Sequence, residues 1–393
     1  MAGKFEERDV VIVGSGPAGC ATALGLRTYA PEFTSKVLVI EALRHPREKV
    51  CAGGVNGRAW HLLEDLGVSL DAPFVEVDRG LIRTALGDKW VESPGMTRVL
   101  QRDSFDAAVA AHLPENKIEL REGVRLERVR RVGSKFDLET SAGTIRASAV
   151  VGADGPVGVV RKCLFDAPDK TCLMAMATCP ATGHYTHTRS AVMLDFCKAA
   201  EGAHGYRWIF PFLNDGEEWV NVGICEWKHR SARELKDDLV GYMRSQDLDV
   251  DRAGFRFFPE RPFHPRNPFS APGVLLVGDA AGIDPFFGEG ISYGIEYGML
   301  AALSLAAALE HNDFTFQNHT STLKWSRLGK ELMITWMAAG LFYSRWHLPL
   351  ARVGMSDDYL LYLLGDVLAG RLRPSKKLAA KMLFRVAKGL LKL

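Results

Sequence analysis

The chain has 393 residues, 47% of them hydrophobic and 24% charged, with a formal net charge of only +2. That balance excludes a disordered polyelectrolyte and gives nucleic acid no extended basic surface to meet. The length exceeds the ~250–300 residues at which a single core stops growing, so two intimately connected domains are expected.

The first residues are charged and lack the apolar stretch of a signal peptide. Asp9 to Val13 reads as a buried strand. Gly14-Ser-Gly-Pro-Ala-Gly19 follows at once and leads into a helix through Ala30, and Lys36 to Ile40 is a second strand closed by Glu41. This is the frame of a nucleotide-binding βαβ unit. Gly14 makes the tight turn, Gly16 lets backbone approach a pyrophosphate, Gly19 lets the helix lie close, and Glu41 would hold ribose hydroxyls. Arg47-Glu-Lys-Val-Cys-Ala-Gly-Gly54 comes next, a loop whose glycines would let main chain lie against a flat ring. Within it Cys51 is reactive, a proton donor or merely small. Thr97 to Leu113 reads as a turn entering a helix, with Arg102 placed to reach a pyrophosphate. Short strands (Ile118–Leu120, Val124–Val129, Phe136–Glu139, Thr144–Ala147) lead to a second fingerprint, Gly152-Ala-Asp-Gly155.

The middle of the chain changes character. Thr171–Cys179, Ala191–Phe196, Tyr206–Phe212 and Trp219–Cys225 are short, rich in β-formers and separated by turn residues, as in an antiparallel sheet. Alternation along Tyr206-Arg-Trp-Ile-Phe-Pro211 puts Tyr206, Trp208 and Phe210 on one face, either as core or as an aromatic wall. Ser231–Arg244 is helical. Val274 to Gly278 is again a buried strand, followed by Asp279 and a turn, Gly288-Glu-Gly290, that opens a long helix rich in small residues. Asp279 at a strand end can accept bonds from sugar-like hydroxyls, and the N–H groups near Gly290 and Ile291 offer a positive helix end to an anionic group. After Gly298 the chain is mostly helical. No apolar run approaches the ~20 residues of a bilayer span. The seven scattered cysteines contain no CxxC pair, which argues against disulfides and a metal site and fits a reducing cytoplasm.

Three fingerprints in this order resemble those of FAD-dependent oxidoreductases with the p-hydroxybenzoate hydroxylase fold. Cys51-Ala-Gly-Gly54, Tyr206-Arg-Trp-Ile-Phe-Pro211, Gly278-Asp-Ala-Ala-Gly282 and Gly288-Glu-Gly290 narrow the resemblance to the geranylgeranyl reductases. The resemblance implies an α/β fold: a Rossmann-like FAD-binding domain (1–170 and 265–310), an inserted antiparallel β-sheet substrate domain (171–264), and a helical C-terminal region (311–393). It also implies reduction of isolated C=C bonds in a prenyl chain. Around FAD it places Gly14, Gly16, Ala18, Gly19, Glu41, Ala52, Gly54, Arg102, Asp279, Gly290 and Ile291, with Val129 on the adenine side. Tyr206, Trp208, Phe210 and Pro211 would line the tunnel for the prenyl chain. Alternatives within the fold are a flavin monooxygenase or halogenase, and an electron-transfer flavoprotein serving a quinone.

An isolated alkene needs a hydride and a proton, and positive charge develops on the carbon between these events. Aromatic faces from Tyr206, Trp208, Phe286 or Phe287 would tolerate that charge, and Cys51 and Tyr206 are the candidate proton donors. No second nucleotide frame follows the first, so the flavin is re-reduced by visiting NADPH or a small redox protein. The last 23 residues, Arg371 to Leu393, carry eight basic residues and no acid. From Ser375 onward basic side chains recur at helical steps, with Leu378, Met382, Val386, Leu390 and Leu393 on neighbouring faces. The segment is either a basic amphipathic helix lying on the inner face of an anionic cell membrane or a solvated helix packed on the body.

Overall fold

Two eight-stranded sheets organise the chain in the computed structural model, which describes residues 6–166, 170–182, 191–228 and 230–391. The first sheet is built on five parallel strands in the spatial order Val274–Leu276, Gly143–Gly152, Glu6–Val13, Val37–Glu41 and Glu119–Glu122. Val10 to Val13 and Val37 to Ile40 are buried, as strands covered on both faces must be, and so they read as unbroken apolar runs. Helices Pro17–Tyr29 and Ile291–His311 pack closely against each other beside this sheet. Ile291–His311 corrects one expectation: by length and composition it could cross a membrane, yet it is mostly buried inside the protein.

The second sheet runs Gly254–Glu260, Cys172–Pro180, Glu217–Glu226, Gly205–Asn214, Ala191–Asp195, Phe74–Thr84, Gly87–Leu100 and Gly54–Asn56. All neighbours are antiparallel except Ala191–Asp195 beside Phe74–Thr84. The expected domain limits therefore need correction. Gly54–Asn56, Phe74–Thr84 and Gly87–Leu100 belong to the second sheet and interrupt the nucleotide domain, while the helix Gly57–Asp65 between them packs Ala59 and Leu63 into the core of the first, and Thr97 lies within a strand rather than opening a turn. A register shift between Val77 and Arg79 breaks the two-residue alternation, so the buried side of Phe74–Thr84 changes phase midway and the strand hides from a periodicity reading.

The C-terminal helices are likewise not a separate unit. Ala339, Tyr343, Leu361 and Ala369 share one apolar core with Val77, Met96 and Trp208, so this region closes one side of the substrate sheet. The last helix, Lys376–Leu390, is seated on the body: Leu378, Met382 and Val386 pack with Val353, Leu360 and Leu363, and Arg385 pairs with Asp357 at 2.8 Å. The apolar stripe expected to face a membrane is thus turned inward, and a different face leaves Leu383 and Phe384 exposed. Lys392 and Leu393 lie outside the described residues.

Candidate active site

The first fingerprint folds as its spacing predicts. Gly14 has φ +102°, and a Cβ on it would stand 2.4 Å from the Ala153 carbonyl oxygen of the second fingerprint. One on Gly19 would stand 1.9 Å from the Gly14 carbonyl oxygen, so the helix starts hard against the turn. That helix has Gly16 at its N-cap, Pro17 at its first position and no side-chain cap, which leaves its N-terminal N–H groups available to an anion. Glu41 is buried and accepts from Ser15 N at 3.0 Å, Ser15 Oγ at 3.1 Å and Leu43 N at 3.1 Å.

These elements line one side of an elongated cavity of about 420 Å³. Gly14, Gly16, Ala18 and Glu41 line it together with Asp154 to Val159 and with Asp279, Gly290 and Ile291. Gly19 sits behind the wall as packing. Val129, expected on the adenine side, does not line the cavity: it is a buried core residue, and Val124, Arg125 and Leu126 take that place. Arg102 reaches the cavity, but its guanidinium is committed to Asp106 at 2.9 and 3.1 Å. Arg47, which the sequence did not single out, lies nearer the dinucleotide turn: its Nη2 would be 3.6 Å from a Cβ on Gly16, and it pairs with Glu41 at 3.4 Å and Asp106 at 3.3 Å.

A second cavity, of about 200 Å³, opens from the end of the first. Val50, Cys51, Phe258, Glu260, Ile283, Gly288, Gly290 and Ile291 border both. Tyr206, Trp208 and Phe210 form one wall of it, with Met174, Met176, Val192, Leu194, Phe287 and Leu368 around them. Ala52 and Gly54 also face this cavity and not the first, and a Cβ on Gly54 would meet the Phe210 ring at 2.9 Å. Alternation turns Pro211 to the opposite face of its strand, with Ile209, so it is not a wall residue. Phe286 lies one layer back, behind Phe287 (centroids 4.4 Å apart) and against Phe342 (5.3 Å).

Polar groups fix this wall. The Tyr206 hydroxyl donates to the Phe287 carbonyl, and burial keeps the phenol well above its ordinary pKa. Lys49 Nζ stands 3.2 Å from the Phe258 ring centroid and 3.5 Å from Asp279 Oδ2. Asp284 accepts from Phe286 N at 2.9 Å and Phe287 N at 3.1 Å, which shapes the turn before Gly288, and burial pushes its carboxyl up to about 6. Gly290 is the N-cap of Ile291–His311 and also lacks a side-chain cap. Beneath it, Arg58 Nη2 meets Glu289 at 3.2 Å and Nη1 meets the buried Glu331 at 2.8 Å, while Arg373 pairs with Glu296 at 2.6 Å.

The residues present fit a dinucleotide cofactor with a planar ring. Two helix N-termini whose N-cap residue is a glycine border one cavity, although Glu289 Oε1 already takes the Ser292 N–H of the second at 2.9 Å, and an acid stands at each of two strand ends. Comparison with known proteins agrees. The FAD binding domain family matches residues 7–313. A digeranylgeranylglycerophospholipid reductase from Methanopyrus kandleri is 30% identical over 335 residues, covering 78% of this chain and 82% of its own. A menaquinone reductase from Mycolicibacterium smegmatis is 28% identical over 332 residues, covering 75% of each chain. The crystal structure of a geranylgeranyl bacteriochlorophyll reductase-like protein from Thermoplasma acidophilum has the same fold, with TM-score 0.72, 22% identity, and coverage of 99% of this chain and 98% of that one.

Proposed function

Because this chain belongs to the FAD binding domain family and, within it, to the geranylgeranyl reductases, we propose that it saturates isolated C=C bonds in the prenyl chain of a lipophilic substrate. The observation that carries the reading is the junction of the two cavities. A cavity built for a dinucleotide ends at Cys51 and Gly288 to Ile291, and an apolar, aromatic-walled space begins there. At about 200 Å³ that space is below the ~300–1,000 Å³ of sites that enclose a drug-sized ligand. It suits a segment of a prenyl chain, with the head group outside.

FAD would be held by Gly14, Gly16, Ala18, Glu41, Arg47, Asp279, Gly290 and Ile291, and when reduced it supplies the hydride. The protein's part is to exclude water and to steady the carbon that becomes electron-poor. Tyr206, Trp208 and Phe287 present aromatic surface to that carbon, which favours positive charge in a dry site. The helix start at Gly290, where Glu289 takes the Ser292 N–H, would favour negative charge on the cofactor side of the same junction through the Gly290 and Ile291 N–H groups. Opposite charges developing on the two sides of the junction are thus each met by fixed groups.

The donor that re-reduces the flavin is NADPH or a small redox protein, and anaerobic flavin bleaching by each separates them. The exposed Leu383 and Phe384, flanked by exposed Lys376, Lys377 and Lys388, would give peripheral contact with an anionic membrane from which substrate is drawn. Mass spectrometry of lipids that co-purify with the flavin-loaded protein, before and after dithionite, tests the reading. It expects an unsaturated prenyl lipid that gains hydrogens on reduction, and an oxygenated or halogenated product would favour the monooxygenase alternative.

A further inference from the structure

Hydride addition to an unpolarised alkene requires a proton donor, and neither donor expected from the sequence is well placed. The Tyr206 hydroxyl gives its hydrogen to the Phe287 carbonyl. The Cys51 sulfur meets the Gly53 N–H at 3.4 Å and the Arg102 guanidinium, and both are donors to it.

Glu260 stands elsewhere on the same junction. It ends the strand Gly254–Glu260 and borders both cavities. Its Oε2 is buried without a hydrogen-bond partner among the described residues, an unmet polar atom that a ligand in either cavity would satisfy. The groups facing it come from four other elements: Asp279 after the strand Val274–Leu276, Lys49 from the loop before Cys51, Arg102 from the start of its helix, and the Cys225 thiol from the strand Glu217–Glu226. Burial first, and then the negative charge of Asp279, holds the Glu260 carboxyl well above the usual carboxylate range. A carboxyl kept neutral at neutral pH is an acid in the form needed to donate. Lys49 and Arg102 are at hand to compensate the charge left when the proton departs.

We propose that Glu260 is the catalytic acid that protonates the alkene, an assignment that rests on the prenyl-saturation reading. One alkene carbon receives a hydride, with its electron pair, from the reduced flavin. The π pair of the double bond forms the second C–H bond with the Glu260 proton at the neighbouring carbon. The Glu260 carboxylate then recovers a proton from water, so the net change is two hydrogens added and the flavin oxidised by two electrons.

The test uses the FAD-loaded protein reduced by dithionite and a digeranylgeranyl glycerophospholipid as the probe. Glu260→Gln is expected to lower the single-turnover rate by about 10²- to 10⁴-fold while FAD content is kept. The wild-type rate falls as pH rises through the Glu260 titration, and the residual rate of the variant loses that dependence. Infrared spectroscopy of the wild-type protein gives a readout independent of turnover and of how the variant folds: a buried protonated carboxyl band persists at neutral pH and, in Glu260→Gln, is missing. A saturating wild type with an equally fast Glu260→Gln, or a wild type whose Glu260 is ionised at neutral pH, overturns the assignment alone. A wild type that binds FAD and saturates no prenyl chain overturns the parent reading and the assignment with it.

Discussion

Trp208 donates its indole N–H to Asn221 Oδ1 at 2.8 Å, and Asn221 passes the connection on by donating its amide to the Cys51 carbonyl at 2.9 Å. The aromatic wall and the cysteine loop, far apart in the chain, are thereby held in one register. Asn221→Ala leaves a buried donor and a buried acceptor unmet, each worth ~1–3 kcal/mol. A lower denaturant midpoint and a lower kcat/KM for the prenyl substrate are expected together, measured by urea unfolding and product formation.

Trp208 lies over Gly223, where a Cβ would stand 2.1 Å from the indole Cζ2. Gly223→Ala therefore displaces the ring into the second cavity and leaves the first untouched. The expected outcome is normal FAD content with at least a tenfold loss of prenyl turnover, in line with the ~10²-fold loss that a 1 Å misplacement can cause.

The buried charges under the Gly288-Glu-Gly290 turn give a stability prediction. Arg373 neutralises Glu331 and Glu296, and Glu331 is 0% exposed. Arg373→Ala takes one charge-assisted partner from each carboxylate while Arg58 stays on Glu331, and should destabilise the protein by about 1.5–3 kcal/mol, read from chemical denaturation. Because Arg58 links the same Glu331 to Glu289, FAD should also leave the variant faster.

Much of the nucleotide half was legible because its signals are local. Gly14, Gly16, Gly19 and Glu41 act within one βαβ unit, and Asp279 and Gly290 within one strand-turn-helix, so spacing alone fixes their neighbours. The substrate half was less legible. The Val77 to Arg79 register shift hid a strand, and a loop of glycines does not say which of two cavities it faces, so the resemblance alone puts Ala52 and Gly54 beside the cofactor while both line the second cavity at its junction with the first. Arg47 and Glu260 carry no pattern of their own. Their placement comes from elements distant in the chain, Gly16 and Asp106 for Arg47, Asp279 and Lys49 for Glu260.

Asp284 supplies a pH dependence with a definite sign. Its carboxyl is pushed from 3.8 up to about 6 by burial, so the folded state binds its proton more tightly than the unfolded chain. The stability this contributes is full below pH ~4 and is lost as pH rises through about 6. Relative to Asp284→Asn, the wild type should lose roughly 2–2.5 kcal/mol of unfolding free energy between pH 4 and pH 7. Guanidinium titrations of both proteins across that range check it.

The tail can be tested without removing it. Phe384 is 71% and Leu383 56% exposed, on a helix anchored by other residues. Replacing both with Asp should leave the melting temperature within a degree or so, since exposed substitutions usually act within ±0.5 kcal/mol. Flotation with anionic vesicles should be lost. Undiminished flotation would remove this face as the membrane contact.

The most direct measurement is a single turnover without oxygen. Protein loaded with FAD and reduced by dithionite is mixed with a digeranylgeranyl glycerophospholipid, and the lipid is weighed by mass spectrometry as flavin absorbance returns. Two hydrogens gained per flavin reoxidised, at a prenyl double bond and with no oxygen or halogen added, is the predicted result. A chain that takes up no flavin, or a reduced flavin that stays bleached in the presence of the lipid and reoxidises only with oxygen, would contradict it.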